Sequence, residues 1–160
     1  MTTRKKLALV AALGSLGLVL GAFAFEYIGG MAPCALCIWQ RWPHGLAVAA
    51  GLGVAFAPVA PLLALGAAGA AASGGIGIYH TGVERSWWDG PTACAAGGDI
   101  AGLSPDELMS RIMAAPVVRC DEVPWEMLGL SMASWNAVLS FALAGLWLAA
   151  LWRGRGAAAG

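Results

Sequence analysis

The sequence predicts an all-α membrane protein, a bundle of four transmembrane helices with two outer loops, the second of which contains short helices. Of its 160 residues, 59% are apolar and only 11% are charged, and the mean hydropathy is +0.73. This composition leaves too little polar surface for an ordinary soluble domain. Four apolar stretches approach the roughly 20 residues that a helix needs to cross a bilayer; they are residues 7–25, 38–57, 62–80 and 134–152. We interpret residues 1–160 as one integral membrane domain.

The connections between these stretches differ in length. Prolines within residues 58–61 separate the second stretch from the third and predict a helical hairpin with a very short turn. The other two connections, residues 26–37 and 81–133, are loops at the opposite end of the bundle. In the longer loop, residues 104–107 are typical of a capped helix start, so a short helix is expected there, ending before Pro116.

The distribution of charge predicts the orientation in the membrane. Basic residues precede the first stretch and follow the last, and cytoplasmic segments are enriched in such residues, so both termini are predicted to be cytoplasmic. All nine acidic residues fall in the two loops, which are therefore expected to face outward. Six of the eight tryptophans lie near the outer ends of the stretches, where an aromatic belt is expected: Trp39, Trp42, Trp87, Trp88, Trp125 and Trp135.

The N-terminal segment has an alternative interpretation. Its basic residues, its apolar run and the small-residue triplet at 22–24 together resemble a cleavable signal peptide. The apolar run has full spanning length, which favours a retained first helix. The other spans keep the same orientation in either case.

The four cysteines, Cys34, Cys37, Cys94 and Cys120, all fall in the outer loops, on the side where disulfides form and persist. A disulfide between Cys94 and Cys120 would close a loop of about 27 residues and contribute ~3.5 kcal/mol, so a purely structural bond stays open as an interpretation. The short Cys34–Cys37 loop would contribute only ~2 kcal/mol. A C-x-x-C pair more often indicates redox or metal chemistry.

Metal chemistry is the weaker of these two options. Structural zinc sites typically use two closely spaced ligand couples, whereas Cys94 and Cys120 lie far apart in the sequence. Covalent haem attachment needs a histidine directly after the second cysteine, and Ile38 stands there. We therefore predict no metal site.

The C-x-x-C pair lies at the start of the second apolar stretch. Cys34, Cys37 and Arg41 are spaced i, i+3 and i+7, so they share one stripe of a helix that begins near Pro33. The positive end of the helix dipole and the guanidinium group both favour a thiolate in this stripe. Arg41 is expected just below the outer interface, where a charge is costly unless it has a task or extends to the interface. Both explanations stay open.

The neighbouring helix of the hairpin is expected to contribute to the same place. The short turn brings Tyr79 and His80 level with residues 39–41 on the antiparallel helix. Cys37, Arg41 and His80 are therefore predicted to line a pocket at the edge of the bilayer that suits a flat, lipid-soluble electron acceptor with carbonyl oxygens. His44 shares the cysteine stripe one turn deeper and is expected to bond within the bundle, while Gln40 is given no role.

The order of these motifs carries a family resemblance. The sequence has, in turn, "PCALCIWQR", "YHTGVERSWW", "GPTAC", a lone Cys120 and "WEMLGLSMASW" running into the last apolar stretch. This order resembles the disulfide bond formation protein B (DsbB) family of bacterial inner-membrane thiol oxidases. The resemblance extends from the basic N-terminus to Trp152.

The resemblance implies a four-helix enzyme of the bacterial inner membrane. Such an enzyme passes two electrons from a DsbA-like periplasmic thioredoxin-fold oxidase to a membrane quinone, either ubiquinone or menaquinone. By position, Cys94 and Cys120 form the pair that reacts with the partner, and Cys34 and Cys37 receive its electrons. The resemblance also implies that Cys34 exchanges transiently with Cys120, which links the two loops.

The expected quinone site follows from the same resemblance. Cys37 is the thiol beside the quinone, Arg41 binds or polarises the quinone, and His80 is their companion. A monomer is expected, with membrane lipid and quinone as its surroundings and no nucleic-acid partner.

Two other classes of protein stay open. A vitamin K epoxide reductase-like enzyme also combines a helical bundle with quinone-linked cysteines, but that resemblance would place the C-x-x-C near the end of the bundle. A non-enzymatic four-span protein with fixed disulfides would have inert thiols and no need for Arg41 at membrane depth.

Overall fold

The computed structural model describes residues 1–91, 103–114 and 118–156. It has four long helices, a short helix and a small antiparallel sheet. The long helices are α1 (Thr3–Tyr27), α2 (Ala35–Phe56), α3 (Ala60–Glu84) and α5 (Met132–Gly156). Between α3 and α5 lie the short helix α4 (Pro105–Ala114) and the strands β1 (Glu126–Met127) and β2 (Leu130–Ser131).

The four long helices form an antiparallel bundle in which α1 and α3 each pack against both α2 and α5. The ammonium group of Lys5, at the start of α1, donates to the main-chain oxygen of Ala55, near the end of α2. Small residues allow the helices to approach closely, as is usual in membrane bundles. Gly66 of α3 lies against the fully buried indole of Trp147 of α5, and a Cβ at residue 66 would come within 2.5 Å of that ring.

Three helices in the described part of the chain are long and apolar enough to cross a bilayer: α1, α3 and the Met132–Arg153 part of α5. Helix α2 has 22 residues and packs within the same bundle, but Gln40, Arg41 and His44 make its first half polar. The protein is therefore a helical membrane protein. Helix α2 covers the second expected stretch, residues 38–57, as far as Phe56.

The helices differ from the predicted stretches mainly at the outer end. Helix α1 continues to Tyr27 and α3 to Glu84, so Glu26 and Glu84 lie on helices rather than in loops. Helix α2 begins at Ala35, later than the expected start near Pro33. The physical reason is that Cys34 is the N-cap, where its Sγ accepts a hydrogen bond from the main-chain N–H of Cys37 at 3.2 Å.

The long connection contains one predicted feature and one that the sequence analysis missed. Helix α4 begins with the predicted capping box, since the main-chain N–H of Ser104 donates to Glu107 at 2.9 Å and Glu107 N–H donates back to Ser104 Oγ at 3.4 Å. Its expected stop at Pro116 lies outside the described residues. The β1–β2 hairpin was not predicted, and its turn has positive φ at Leu128 and Gly129, as a two-residue hairpin turn often requires.

Candidate active site

The candidate reactive centre is the pair Cys34 and Cys37 at the end of α2 that was predicted to face outward. Both cysteines are free thiols, and their sulfurs lie 2.7 Å apart. A disulfide has an S–S distance of about 2.05 Å, so the pair needs little movement to close. Cys34 is buried and Cys37 is half-buried.

The two thiols are electrostatically unequal. The hydrogen bond between the two side chains, together with burial, raises the pKa of the Cys34 thiol far above its ordinary value. Cys34 therefore keeps its proton, and any negative charge on the pair resides on Cys37. Cys37 also lies one helical turn from the guanidinium of Arg41, which favours this arrangement.

Arg41 has a partner that the sequence analysis did not anticipate. Its Nη1 lies 2.5 Å from Glu26 Oε2 on α1, and its guanidinium carbon lies 4.9 Å from the centre of the Phe23 ring. Its Nε is buried, with no hydrogen-bond partner in the described part of the chain. Arg41 is thus anchored to α1 while one of its buried donors has no partner among the described residues.

His80 of α3 lies beside the cysteine pair. Its Nε2 is 3.6 Å from Cys34 Sγ, and its Nδ1 is 3.0 Å from the side-chain amide nitrogen of Gln40. The expectation that His80 lies level with residues 39–41 is confirmed by this contact. Glu84 Oε1 is 3.9 Å from His80 Nε2, and Ser131 donates a hydrogen bond to the other oxygen of Glu84.

A buried polar network connects the cysteine pair with the interior of the bundle. Asn136 Nδ2 of α5 donates to Gln40 Oε1 at 2.7 Å. Asn136 Oδ1 lies 3.1 Å from His44 Nε2, so His44 bonds within the bundle as expected. Intramembrane polar residues are costly and usually functional. The members of the network are Gln40, His44, Ser73, His80, Asn136 and Ser140.

A largely apolar cleft, which we call the α1–α5 cleft, lies directly beside this centre. Its volume is about 420 Å³, within the range of small-molecule sites. Cys37, Arg41 and His80 all line it, as the sequence predicted. Its apolar walls come mainly from α1 and α5 and include Leu18, Ala22, Phe25, Trp135 and Leu139.

The same centre has donor atoms that a metal ion could use. The sulfurs of Cys34 and Cys37 and one ring nitrogen of His80 lie within 4.8 Å of one another. A structural zinc site normally has four protein ligands, one more than this group supplies.

Cys120 of the long connection also reaches the site. It is fully buried and disulfide-bonded. It packs in one apolar cluster with Cys34, Leu36 and Val83, and its main chain hydrogen-bonds to the His80 ring. Cys94, the other cysteine of the predicted loop pair, lies outside the described residues.

Charged residues on either side of Cys120 pair with each other. Arg119 Nε donates to Asp121 Oδ1 at 2.8 Å, and this bond holds the pKa of the Asp121 carboxyl below its ordinary value. The ion pair is therefore intact at neutral pH. Arg119 and Glu122 also lie at the rim of the α1–α5 cleft.

Four residues of the site were not identified from the sequence: Glu26, Gln40, Glu84 and Asn136. Asn136 could have been noticed as a polar residue inside the last apolar stretch. Glu26 could have been noticed as an acid next to the first stretch, at the depth expected for Arg41. Nothing in the local sequence indicates that Gln40 and His80 are in contact.

Comparison with known proteins now identifies the family. The family model for disulfide bond formation protein DsbB matches residues 4–150. The chain belongs to the DsbB family. It is therefore a membrane protein of disulfide bond formation, and the family resemblance of its motifs is confirmed.

Individual members of the DsbB family support this assignment over nearly the whole chain. Disulfide bond formation protein B of Verminephrobacter eiseniae is 35% identical, covering 94% of this chain and 86% of its own. The proteins of the same name from Albidiferax ferrireducens and Stutzerimonas stutzeri are 32% and 31% identical, covering 88% and 92% of this chain and 83% and 95% of their own.

Proposed function

We propose that this DsbB-family protein is a thiol:quinone oxidoreductase of the bacterial inner membrane. It reoxidises a DsbA-like periplasmic thioredoxin-fold oxidase and delivers two electrons to ubiquinone or menaquinone. The observation that carries the proposal is the position of Cys37 and Arg41 on one apolar cleft, with Arg41 Nε buried and unpartnered among the described residues.

The α1–α5 cleft fits a quinone by its chemistry. A quinone ring is flat and apolar and has carbonyl oxygens that accept hydrogen bonds. Arg41 supplies a cationic donor, and apolar walls of α1 and α5 supply contacts for the ring. When bound, the quinone accepts an electron pair and two protons. The protein contributes the position of Cys37 and a site of low dielectric in which Arg41 acts strongly.

The thiol chemistry proceeds by disulfide exchange, in which each step forms one S–S bond and breaks another. A partner thiolate attacks the proposed Cys94–Cys120 disulfide at Cys94, and the partner's second thiol resolves the mixed disulfide. A thiolate at Cys120 then attacks the sulfur of Cys34, and Cys37 leaves as a thiolate. Finally a thiolate at Cys94 attacks Cys120, which releases Cys34.

Contacts of the described residues support this division of labour. Cys34 and Cys120 belong to the same buried cluster, as a loop-to-loop exchange requires. A protein with fixed structural disulfides would not need two thiols that differ so strongly in protonation.

The proposed membrane topology has four crossings, with α2 as the second. Both termini are cytoplasmic, and the cysteines face the periplasm. The antiparallel bundle supports this orientation, because Lys5 and Ala55 meet at the end opposite to Cys34 and His80.

A two-part assay tests the proposal. The purified protein in detergent is mixed with reduced DsbA-like oxidase and a soluble quinone, and quinone absorbance is followed. We expect turnover by the natural sequence and none by Cys37→Ser, with folding checked by circular dichroism. Arg85→Ala, which removes a cation outside the α1–α5 cleft, is the matched control for Arg41→Ala. Undiminished turnover by a folded Cys37→Ser variant would remove the central step of the proposal.

A further inference from the structure

Gln40 lies at the centre of the buried network, and both polar atoms of its side chain have hydrogen-bond partners. Its amide nitrogen donates to Leu36 O at 3.0 Å and to His80 Nδ1 at 3.0 Å, and its amide oxygen accepts from Asn136 at 2.7 Å. The residue is only 6% exposed. Its orientation therefore decides which nitrogen of His80 can carry a proton.

Two main-chain carbonyls fix the orientation of the amides. Leu36 O can only accept, so the Gln40 atom beside it must be the NH₂ group. Ser73 O can likewise only accept, and it lies 3.3 Å from Asn136 Nδ2, which leaves Asn136 Oδ1 for His44. Reversing either amide would place two donors or two acceptors against each other.

The fixed amide of Gln40 determines the protonation pattern of His80. Because the Gln40 NH₂ group donates to Nδ1, this nitrogen must be the acceptor of the neutral ring. The ring proton is then on Nε2. That nitrogen faces Cys34 Sγ at 3.6 Å, and the ring also bonds to the main chain of Cys120. His80 therefore presents an N–H group between the two cysteines that the exchange connects.

We propose that Gln40 is a positioning residue that holds His80 as the Nε2–H tautomer, so that His80 stabilises Cys34 as the leaving thiolate of the loop-to-loop disulfide. This role rests on the proposed function. The Cys34 sulfur would then receive two hydrogen bonds, one from His80 and one from the main-chain N–H of Cys37 at 3.2 Å.

The bonds and electrons of the assisted step balance within the chain. The Cys94 thiolate attacks Cys120 in the Cys34–Cys120 disulfide. The Cys94–Cys120 bond forms, the Cys34–Cys120 bond breaks, and its electron pair leaves on Cys34. His80 donates a hydrogen bond to that sulfur and keeps its own proton, and the Cys34 thiolate then takes a proton from water to give the thiol of the reduced pair. Glu84 Oε1 lies 3.9 Å from the same nitrogen, and Ser131 donates a hydrogen bond to the other oxygen of Glu84.

The first test reads the tautomer directly. Protein labelled with ¹⁵N-histidine is reduced in detergent, and the two ring-nitrogen signals of His80 are assigned by their loss in His80→Asn. The protein has only two histidines, so the spectrum is simple. We expect a protonated Nε2 and an unprotonated Nδ1 in the natural sequence, and a mixture of tautomers in Gln40→Leu. A protonated Nδ1 in the natural sequence would overturn the inference without any variant.

The second test measures the assisted step. Oxidised protein is mixed with reduced partner, quenched in acid and alkylated, and the Cys34–Cys120 linked peptide is quantified by mass spectrometry. In Gln40→Leu, His80 should lose its hydrogen bond to the Cys34 thiolate. The lifetime of the Cys34–Cys120 linked species should therefore increase roughly tenfold. Gln40→Met is the second variant if Gln40→Leu does not fold.

A matched control separates positioning from general damage. Lys5→Gln removes a contact between helices, from the Lys5 ammonium to the main-chain oxygen of Ala55, at the end of the bundle opposite to Gln40 and His80. It should leave both the tautomer and the linked species unchanged. Equal lifetimes of the linked species in Gln40→Leu and in the natural sequence would refute the role. Absence of quinone turnover in the natural sequence would instead refute the proposed function and leave the tautomer assignment standing.

Discussion

At the scale of single residues, the two cysteines of the site differ in exposure and in protonation. Cys34 is 4% exposed and protonated, whereas Cys37 lines the α1–α5 cleft. The guanidinium nitrogens of Arg41 also differ. Nη1 is paired with Glu26, whereas Nε is unpartnered among the described residues. Under the proposed function, Arg41 and Cys37 therefore each have one contact that holds them in the fold and one atom or surface left for the ligand.

The difference in protonation between Cys34 and Cys37 should appear in their rates of alkylation. At neutral pH, iodoacetamide should modify Cys37 of the reduced protein at least about tenfold faster than Cys34, because only thiolates react and the raised pKa of Cys34 keeps it protonated. Cys34 should become reactive only as the solution is made alkaline. Peptide mass spectrometry in a Cys94→Ala, Cys120→Ala background measures both rates. Faster labelling of Cys34 would contradict the assignment.

The ion pair between Glu26 and Arg41 should show strong coupling. Glu26→Gln leaves a cation about four-fifths buried without its partner, so it should lower the free energy of unfolding by roughly 1–3 kcal/mol. The double variant Glu26→Gln, Arg41→Gln should recover most of this loss but not quinone turnover. Unfolding in detergent measures the cycle. Equal stability of Glu26→Gln and the natural sequence would mean that the pair does not hold α1 to α2.

At the scale of elements, close packing of α3 against its neighbours sets the position of His80. Gly66 lies against Trp147. A Cβ added at Gly77 would lie 3.0 Å from the main-chain oxygen of Ala133. Both contacts are on the face of α3 that meets α5. Gly69 of α3 lies against α2, where a Cβ would come within 2.7 Å of the main-chain oxygen of Pro43, and this contact sets the depth at which His80 meets Gln40.

Two glycines of the same helix should respond differently to alanine. Gly66→Ala should destabilise the bundle by roughly 1–3 kcal/mol, since its Cβ overlaps the rigid, buried Trp147 ring. Gly75→Ala meets nothing within 4 Å and should be neutral or stabilising by up to about 1 kcal/mol, through helix propensity alone. Thermal unfolding followed by circular dichroism compares the two. A stable Gly66→Ala variant would show that α3 and α5 can separate without cost.

At the scale of the whole molecule, the bundle has two chemically distinct ends. One end has the basic N-terminus and the short α2–α3 turn, and the other has the cysteines, His80 and the β1–β2 hairpin. The two ends are separated by helices of 22 to 25 residues. In the proposed topology, the cysteines therefore face one compartment and the basic N-terminus faces the other.

This orientation can be measured with a membrane-impermeant maleimide. In spheroplasts, a protein whose single cysteine is Cys37 should be labelled, whereas a cysteine introduced by Thr2→Cys in a cysteine-free background should be labelled only after permeabilisation. The positive-inside distribution of Lys and Arg is the reason. Labelling of residue 2 in intact spheroplasts would contradict the predicted topology, and absence of labelling even after permeabilisation would indicate that the first helix is cleaved.

Much of this protein could be read from its sequence. Mean hydropathy and the apolar stretches identified a helical membrane protein, and the i, i+3, i+7 spacing of Cys34, Cys37 and Arg41 identified the reactive stripe. These features are local, because they depend on the residues of one helix and its known periodicity. The short turn between α2 and α3 is also visible in the local sequence, and it allowed His80 to be placed level with Gln40.

The partners of these residues became known only from the packed bundle. Glu26, Gln40 and Asn136 lie on three different helices, and their contacts depend on how each helix is rotated about its axis. A single sequence contains no periodicity that fixes this rotation, since the lipid-facing and core-facing sides of α1 and α5 are both apolar. Side-chain packing fixes it, through close contacts such as Gly66 with Trp147, and so decides that Arg41 binds Glu26 and that His80 faces Cys34.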